Sequence, residues 1–166
     1  MLSSSEEAKL QYVASRLGVS RDSLYNLIQF ESKWNPKIKN PNSSARGLIQ
    51  FTDSTAVSLG FKNSSDLVKK NPTILDQLSV VERYLTQFKP FNNSQSLYMA
   101  VFYPSARNVS PSTVLPQYVQ DVNPGIVTVN DYIKHVEGGV KSSIAIVSLP
   151  LMALLAYLIF RKGNLR

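Results

Sequence analysis

Apolar residues recur at helical spacing through most of the chain. Leu10, Val13, Ala14 and Leu17 lie on one face of a first helix that Ser5 is placed to cap and Gly18 to end. Ser20 is placed to cap a second helix, with Asp22 in its first turn and Leu24, Leu27 and Ile28 on its buried stripe. Short helices are predicted over 53–59, stopped by Gly60, and over 65–70, stopped at Asn71-Pro72. Thr73 opens a longer one with Ile74, Leu78, Val81, Leu85 and Phe88 on one side and Pro90 beyond its end. The stretch 97–103 is apolar and central, and 130–136 forms a last short helix. No strand-like alternation exceeds 125–129, so the fold class is mostly α.

The pattern changes near the C-terminus. Residues 142–160 read SSIAIVSLPLMALLAYLIF, without a charge. As a helix this run spans roughly 28 Å, close to the hydrocarbon thickness of a bilayer. Lys141 stands before it, Arg161 and Lys162 follow, and Tyr157 suits an interface. Pro150 is tolerated in a membrane helix. The expectation is a domain over 1–139 and a transmembrane anchor with a basic tail over 140–166, joined by a hinge at Gly138-Gly139. A buried C-terminal helix is the alternative. The N-terminal MLSSSEEAKLQ has no apolar region and does not read as a signal peptide. The basic cluster after the span favours a cytoplasmic C-terminus, with the domain facing the cell wall from an inner membrane or from a virion membrane.

Charge and composition narrow the function. The chain of 166 residues carries a net charge of +7, which would suit a nucleic-acid binder. Four basic residues and no acidic one lie beyond residue 139, which leaves 14 basic against 11 acidic before it. Most of the excess belongs to the tail, and nucleic acid is not expected as a partner. A mild basic bias fits an anionic wall polymer. Cysteine is absent, which excludes a disulfide framework, a thiolate zinc site and a thiol nucleophile. Neither a metal nor a cofactor is expected.

The residue that breaks the helical pattern is Glu31. It occupies the i+7 position of the stripe begun by Leu24, Leu27 and Ile28, just before the helix stop at Asn35-Pro36. Burial and the negative end of the helix dipole both disfavour its ionised form. A carboxylic acid still protonated near neutral pH is the proton donor that a glycosidic oxygen needs. A structural Glu at a helix rim is the alternative.

The stretch 30–60, FESKWNPKIKNPNSSARGLIQFTDSTAVSLG, resembles the signature of lytic transglycosylases that share the goose-type lysozyme fold. The resemblance rests on Glu31-Ser32, Asn35-Pro36, the run Ser44-Ala45-Arg46-Gly47-Leu48-Ile49-Gln50, and Gly60. It implies a lysozyme-like helical domain that cleaves peptidoglycan glycan strands. Glu31 would be the catalytic acid that turns into the base, and Ser32 would hydrogen-bond near it. Gly47 would let the backbone approach the sugar, and Gln50 would contact substrate or orient Glu31. A hydrolase usually needs a second carboxylate. A transglycosylase works with one, because the 6-hydroxyl of N-acetylmuramic acid is its own nucleophile, giving a 1,6-anhydro product without water or metal. The family's later Ala-Tyr-Asn motif is altered here: either Phe102 or Tyr103 stands where its Tyr is expected, and Pro104 follows. This variation, with the small size and the tail, looks more like phage or secretion-associated members, with virion proteins as further partners.

Other residues carry less. Asp53 reads as a helix cap and only secondarily as a second carboxylate. His135, on a polar helix, has no evident catalytic or metal role. Trp34 and Tyr98 are candidates for stacking on sugar rings, Trp34 equally for the core. Two other functions stand beside transglycosylation: a lysozyme-type hydrolase on the same scaffold, and a virion membrane structural protein with a vestigial lysozyme-like domain.

Overall fold

The computed structural model describes residues 1–138. The expected membrane span over 142–160, the basic tail and Gly139 of the expected hinge lie outside the described residues. Among the described residues no helix is long and apolar enough to cross a membrane.

Eight α-helices make up the described chain: α1 Ser4–Leu17, α2 Arg21–Ser32, α3 Asp53–Ser58, α4 Ser64–Lys70, α5 Ile74–Thr86, α6 Ser94–Phe102, α7 Gln117–Asp121 and α8 Val129–Gly138, with a 3-10 turn at Pro104–Ala106. There are isolated β-bridges but no strand among these residues. The mostly α expectation therefore holds. The boundaries shift for local reasons. Ser3, not Ser5, caps α1, because the Ser-x-x-Glu spacing lets Ser3 and Glu6 bond reciprocally: Ser3 N–H donates to Glu6 Oε2 at 2.8 Å and the Glu6 N–H to Ser3 Oγ. Thr52 caps α3, so Asp53 moves into the first turn. There its Oδ1 accepts from the Ser64 N–H at 2.9 Å and the Ser64 hydroxyl at 2.7 Å, tying α3 to α4. The last helix starts a residue earlier than expected, where Thr128 and Asp131 bond each other's backbone N–H.

Helix α2 is the hub. It packs on α1, α6 and α8, while α1 also lies along α5. Leu24, Leu27 and Ile28 are fully buried, as their spacing requires, together with Leu10 and Val13 of α1, Leu78 and Val81 of α5, Leu97 and Met99 of α6, and Val129 and Val136 of α8. The C-terminal part of the domain thereby closes back onto the second helix, and the junction of α2, α6 and α8 is where Glu31 lies.

Candidate active site

Glu31 sits in the last turn of α2 with no solvent exposure. The chain then turns sharply. Lys33 and Trp34 both take positive φ, at 52° and 62°, a region that side chains other than glycine's seldom adopt. Such backbone strain costs about 1–3 kcal/mol per residue and clusters at functional sites. One oxygen of Glu31 is held: the Tyr132 hydroxyl of α8 donates to Oε1 at 2.7 Å. The other, Oε2, is buried without a partner. Tyr132 is itself fixed, stacked on Phe102 at 4.0 Å and met edge-on by Phe30 at 5.5 Å.

These surroundings set the acidity. Burial pushes the Glu31 carboxyl from its ordinary 4.5 up to about 7, and the Tyr132 bond, which favours the carboxylate, opposes that only in part. The direction matches what the apolar stripe implies. The Tyr132 phenol is driven well up by its own burial and then by the charge of Glu31. The Tyr84 phenol is also raised, by burial and by the same charge, so Glu31 and Tyr84 are electrostatic neighbours.

Gln50 lines a small cleft with Ile49, Phe51, Thr55, Tyr84 and Val101. Its φ is +53°, its Nε2 donates to Gly47 O at 3.0 Å, and its buried Oε1 has no partner. Five buried side-chain polar atoms among the described residues lack a hydrogen bond, and four of them fall between residues 31 and 50: Glu31 Oε2, Trp34 Nε1, Arg46 Nε and Gln50 Oε1. Buried polar groups are nearly always satisfied. These four lie in the one segment of chain that joins Glu31 to Gln50. A wider depression of about 430 Å³ lies at the start of α1, between Leu2, Glu7, Arg21 and Tyr25, and holds none of the residues singled out from the sequence.

The remaining expected residues have partners of their own within the fold. The Ser32 hydroxyl donates to Ile28 O at 3.0 Å, back into its own helix, and not to Glu31. Gly47 has φ +75°, and a Cβ there would collide with Gln77 Oε1. The close approach that requires glycine is made by Gln77, fully buried, which accepts from the Leu48 N–H at 2.9 Å and donates to Pro36 O and Asn71 O. Gly47→Ala is expected to cost about 1–3 kcal/mol for the backbone strain, plus a further loss from displacing Gln77. Gly60 (φ +82°) faces open space, so Gly60→Ala should incur the strain alone. Urea unfolding of both variants measures the difference, and equal losses would remove Gln77 from the argument.

Of the two aromatic candidates, Phe102 is buried and stacks on the Tyr132 ring that holds Glu31, while the Tyr103 hydroxyl shares a hydrogen bond with Tyr118 at 3.0 Å. The phenol that touches Glu31 is Tyr132, which sequence reasoning did not single out. Its signal is a lone hydroxyl-bearing residue on the apolar stripe Val129, Tyr132, Val136. Tyr98 is buried in α6 and Trp34 packs against Tyr25 at 5.2 Å, so both faces are used internally. His135 Nδ1 bonds Asp131 O within α8. Among the described residues no cluster of three or more His, Cys, Asp or Glu stands ready for a metal.

A family model described as "Transglycosylase SLT domain" matches residues 9–100, from α1 to near the end of α6. The match contains Glu31, Ser32, Gly47 and Gln50 and stops short of Phe102, Tyr103 and Tyr132. No curated protein and no solved structure matches the chain.

Proposed function

This chain belongs to the transglycosylase SLT domain family, whose members cleave peptidoglycan, and from that premise we propose that Glu31 is its single catalytic carboxyl group, acting as acid and then as base. The observation that carries the reading is a fully buried carboxyl group raised to about 7 by burial, with a phenol donor on one oxygen and the other oxygen free. No other carboxylate among the described residues contributes to that shift.

In the first step the proton on Glu31 passes to the glycosidic oxygen as the bond from C1 of N-acetylmuramic acid to that oxygen breaks. The sugar is left as an oxocarbenium ion and Glu31 as a carboxylate. The Tyr132 bond stabilises that carboxylate, which burial alone would penalise. In the second step Glu31 takes the proton from the 6-hydroxyl as its oxygen closes on C1. The products are a 1,6-anhydro sugar and a glycan with a new free end, and Glu31 is again protonated. Gln50, with an unpaired Oε1 in the adjoining cleft, is placed to receive a sugar hydroxyl or amide N–H. Because Glu31 is fully buried in the free chain, the glycan has to open a path to Oε2 as it binds.

Mass spectrometry of digested wall tests this reading: anhydro-muramic ends are expected, and free reducing ends would assign the chain to hydrolysis. We also propose that residues 142–160 anchor the enzyme in a membrane, on the strength of that uncharged run and its basic flanks. Full-length protein should then partition into the detergent phase, and protein lacking 142–160 into the aqueous phase; aqueous full-length protein would remove the anchor. Local opening of the wall by an anchored enzyme suits phage entry or exit, with virion proteins as its neighbours.

A further inference from the structure

The segment joining Glu31 to Gln50 has a charge pattern that the cleavage step does not use. Between Glu31 and Asp53 there are four cations, Lys33, Lys37, Lys39 and Arg46, and no acidic residue. The three lysines are exposed. None of the four takes part in an ion pair among the described residues, whereas Arg16, Arg21 and Lys70 are each paired with a carboxylate.

The backbone then forces two of these charges together. Lys39 and Arg46 lie opposite each other in an antiparallel bridge, secured on either side by Asn40 N–H to Ala45 O at 2.9 Å and Gly47 N–H to Ile38 O at 3.0 Å. Like charges directly opposite on one face destabilise such a pair. Arg46 is moreover half-buried, with its Nε–H buried and lacking an acceptor. A guanidinium edge with a free N–H takes a carboxylate in a two-point fork, and an anion between Arg46 and Lys39 would relieve both defects. Arg46 also bridges to Phe51, beside Gln50, and Lys33 is two residues from Glu31. The cations therefore adjoin the cleavage site through both ends of the segment.

We propose that Lys33, Lys37, Lys39 and Arg46 form a recognition site for the carboxylates of peptidoglycan stem peptides, so that the enzyme selects strands whose peptides carry free carboxylates. The inference deepens the reading of the chain as a peptidoglycan-cleaving enzyme and rests on it. The sugar backbone offers hydroxyls and acetamides, which accept hydrogen bonds but bring no charge to pair with four cations. The stem peptides carry carboxylates and hang from the muramic acid residues, next to the bond that is cut. Phosphate polymers of the wall offer anions too, but without that fixed relation to the scissile bond.

Binding of the full-length Glu31→Gln protein in detergent is measured with three probes: wall sacculi free of phosphate polymers and the same sacculi with their peptide carboxylates converted to neutral methylamides, both by co-sedimentation, and a wall phosphate polymer held on beads. The unmodified sacculi should bind about tenfold more tightly than the amidated ones, from a few exposed ion pairs, with a preference that fades in high salt. The added triple change Lys33→Ala, Lys37→Ala, Lys39→Ala, at solvent-exposed positions, should reduce binding to the level of the amidated sacculi with a urea midpoint no lower than before. Arg46→Lys should retain part of the preference and Arg46→Gln less. Equal binding to the first two probes, full binding by the triple variant, or tighter binding to the phosphate polymer overturns the site. Cleavage assays separate this from the reading beneath it: anhydro ends released equally from unmodified and amidated sacculi overturn the recognition site alone, and wild-type digests without anhydro ends overturn the cleavage chemistry.

Discussion

Glu31→Gln is expected to abolish wall lysis and, above pH 7, to make the protein more stable. A side chain serving as acid and base in consecutive steps contributes at the upper end of the usual range for such catalysis, about 10⁴-fold. The amide has neither the proton to give nor the charge to take one, so a zymogram should show no clearing. The stability effect follows from where the carboxyl group titrates. Its folded value of about 7 lies above its ordinary 4.5, so the fold binds the proton more tightly than the unfolded chain does. The resulting stabilisation is complete below pH 4.5 and lost as pH rises through 7. By pH 8 the loss amounts to about 3 kcal/mol. The amide that replaces Glu31 does not titrate. Urea unfolding at pH 4, 6 and 8 should therefore show the variant gaining on the wild type at each step. Parallel pH profiles would mean that Glu31 is not held protonated by burial. Loss of activity with a gain in stability is the pattern of a residue kept for chemistry at the expense of the fold.

The second large effect is expected at Tyr132, where two substitutions separate the ring from the hydroxyl. Tyr132→Ala removes a fully buried ring that joins α8 to Phe102 and Phe30, and should cost about 3–5 kcal/mol. An Ala variant with the wild-type urea midpoint would show that α8 is not part of the cooperative core. Tyr132→Phe keeps the stack and deletes only the donor to Glu31. Since that bond lowers the Glu31 value, its loss raises it further above 7. The limb of the pH–rate profile that reports protonated Glu31 should move to higher pH. The rate below that limb should fall about 10- to 100-fold, because the carboxylate formed in the first step has lost a charge-assisted bond. If the limb stays in place, the hydroxyl does not tune Glu31.

The helices are legible because each depends on neighbours within a turn or two: an apolar stripe, a capping side chain, a glycine or proline stop. Glu31 is legible for the same reason, being a carboxyl group on a stripe that the other members of α2 define. What the sequence hides is any partnership made across the fold. Tyr132 and Phe102 come from helices far along the chain, and no local period records that they meet. Gly47 does occupy a position that requires glycine, but the atom that needs the space belongs to Gln77. Ser32 is adjacent in sequence to the right residue, yet a helical serine readily bonds the carbonyl four residues back, as it does here. Helix α7 escapes a reading of the sequence because Gln117–Asp121 is too short to show a period.

The Tyr132–Glu31 bond spans 101 positions of sequence. Contacts that close so long a loop are entropically costly and are favoured only once much of the remaining chain is in place. Until α8 has docked, Glu31 lacks both the Tyr132 hydroxyl and part of the enclosure whose burial raises it, so the surroundings of the carboxyl group are completed late. A chain opened at its C-terminal end thus keeps Glu31 but loses the neighbours that set its acidity. Docking of the last described helix is in that sense the step that completes the site, and a carboxyl group formed early in the chain depends for its chemistry on residues that come last.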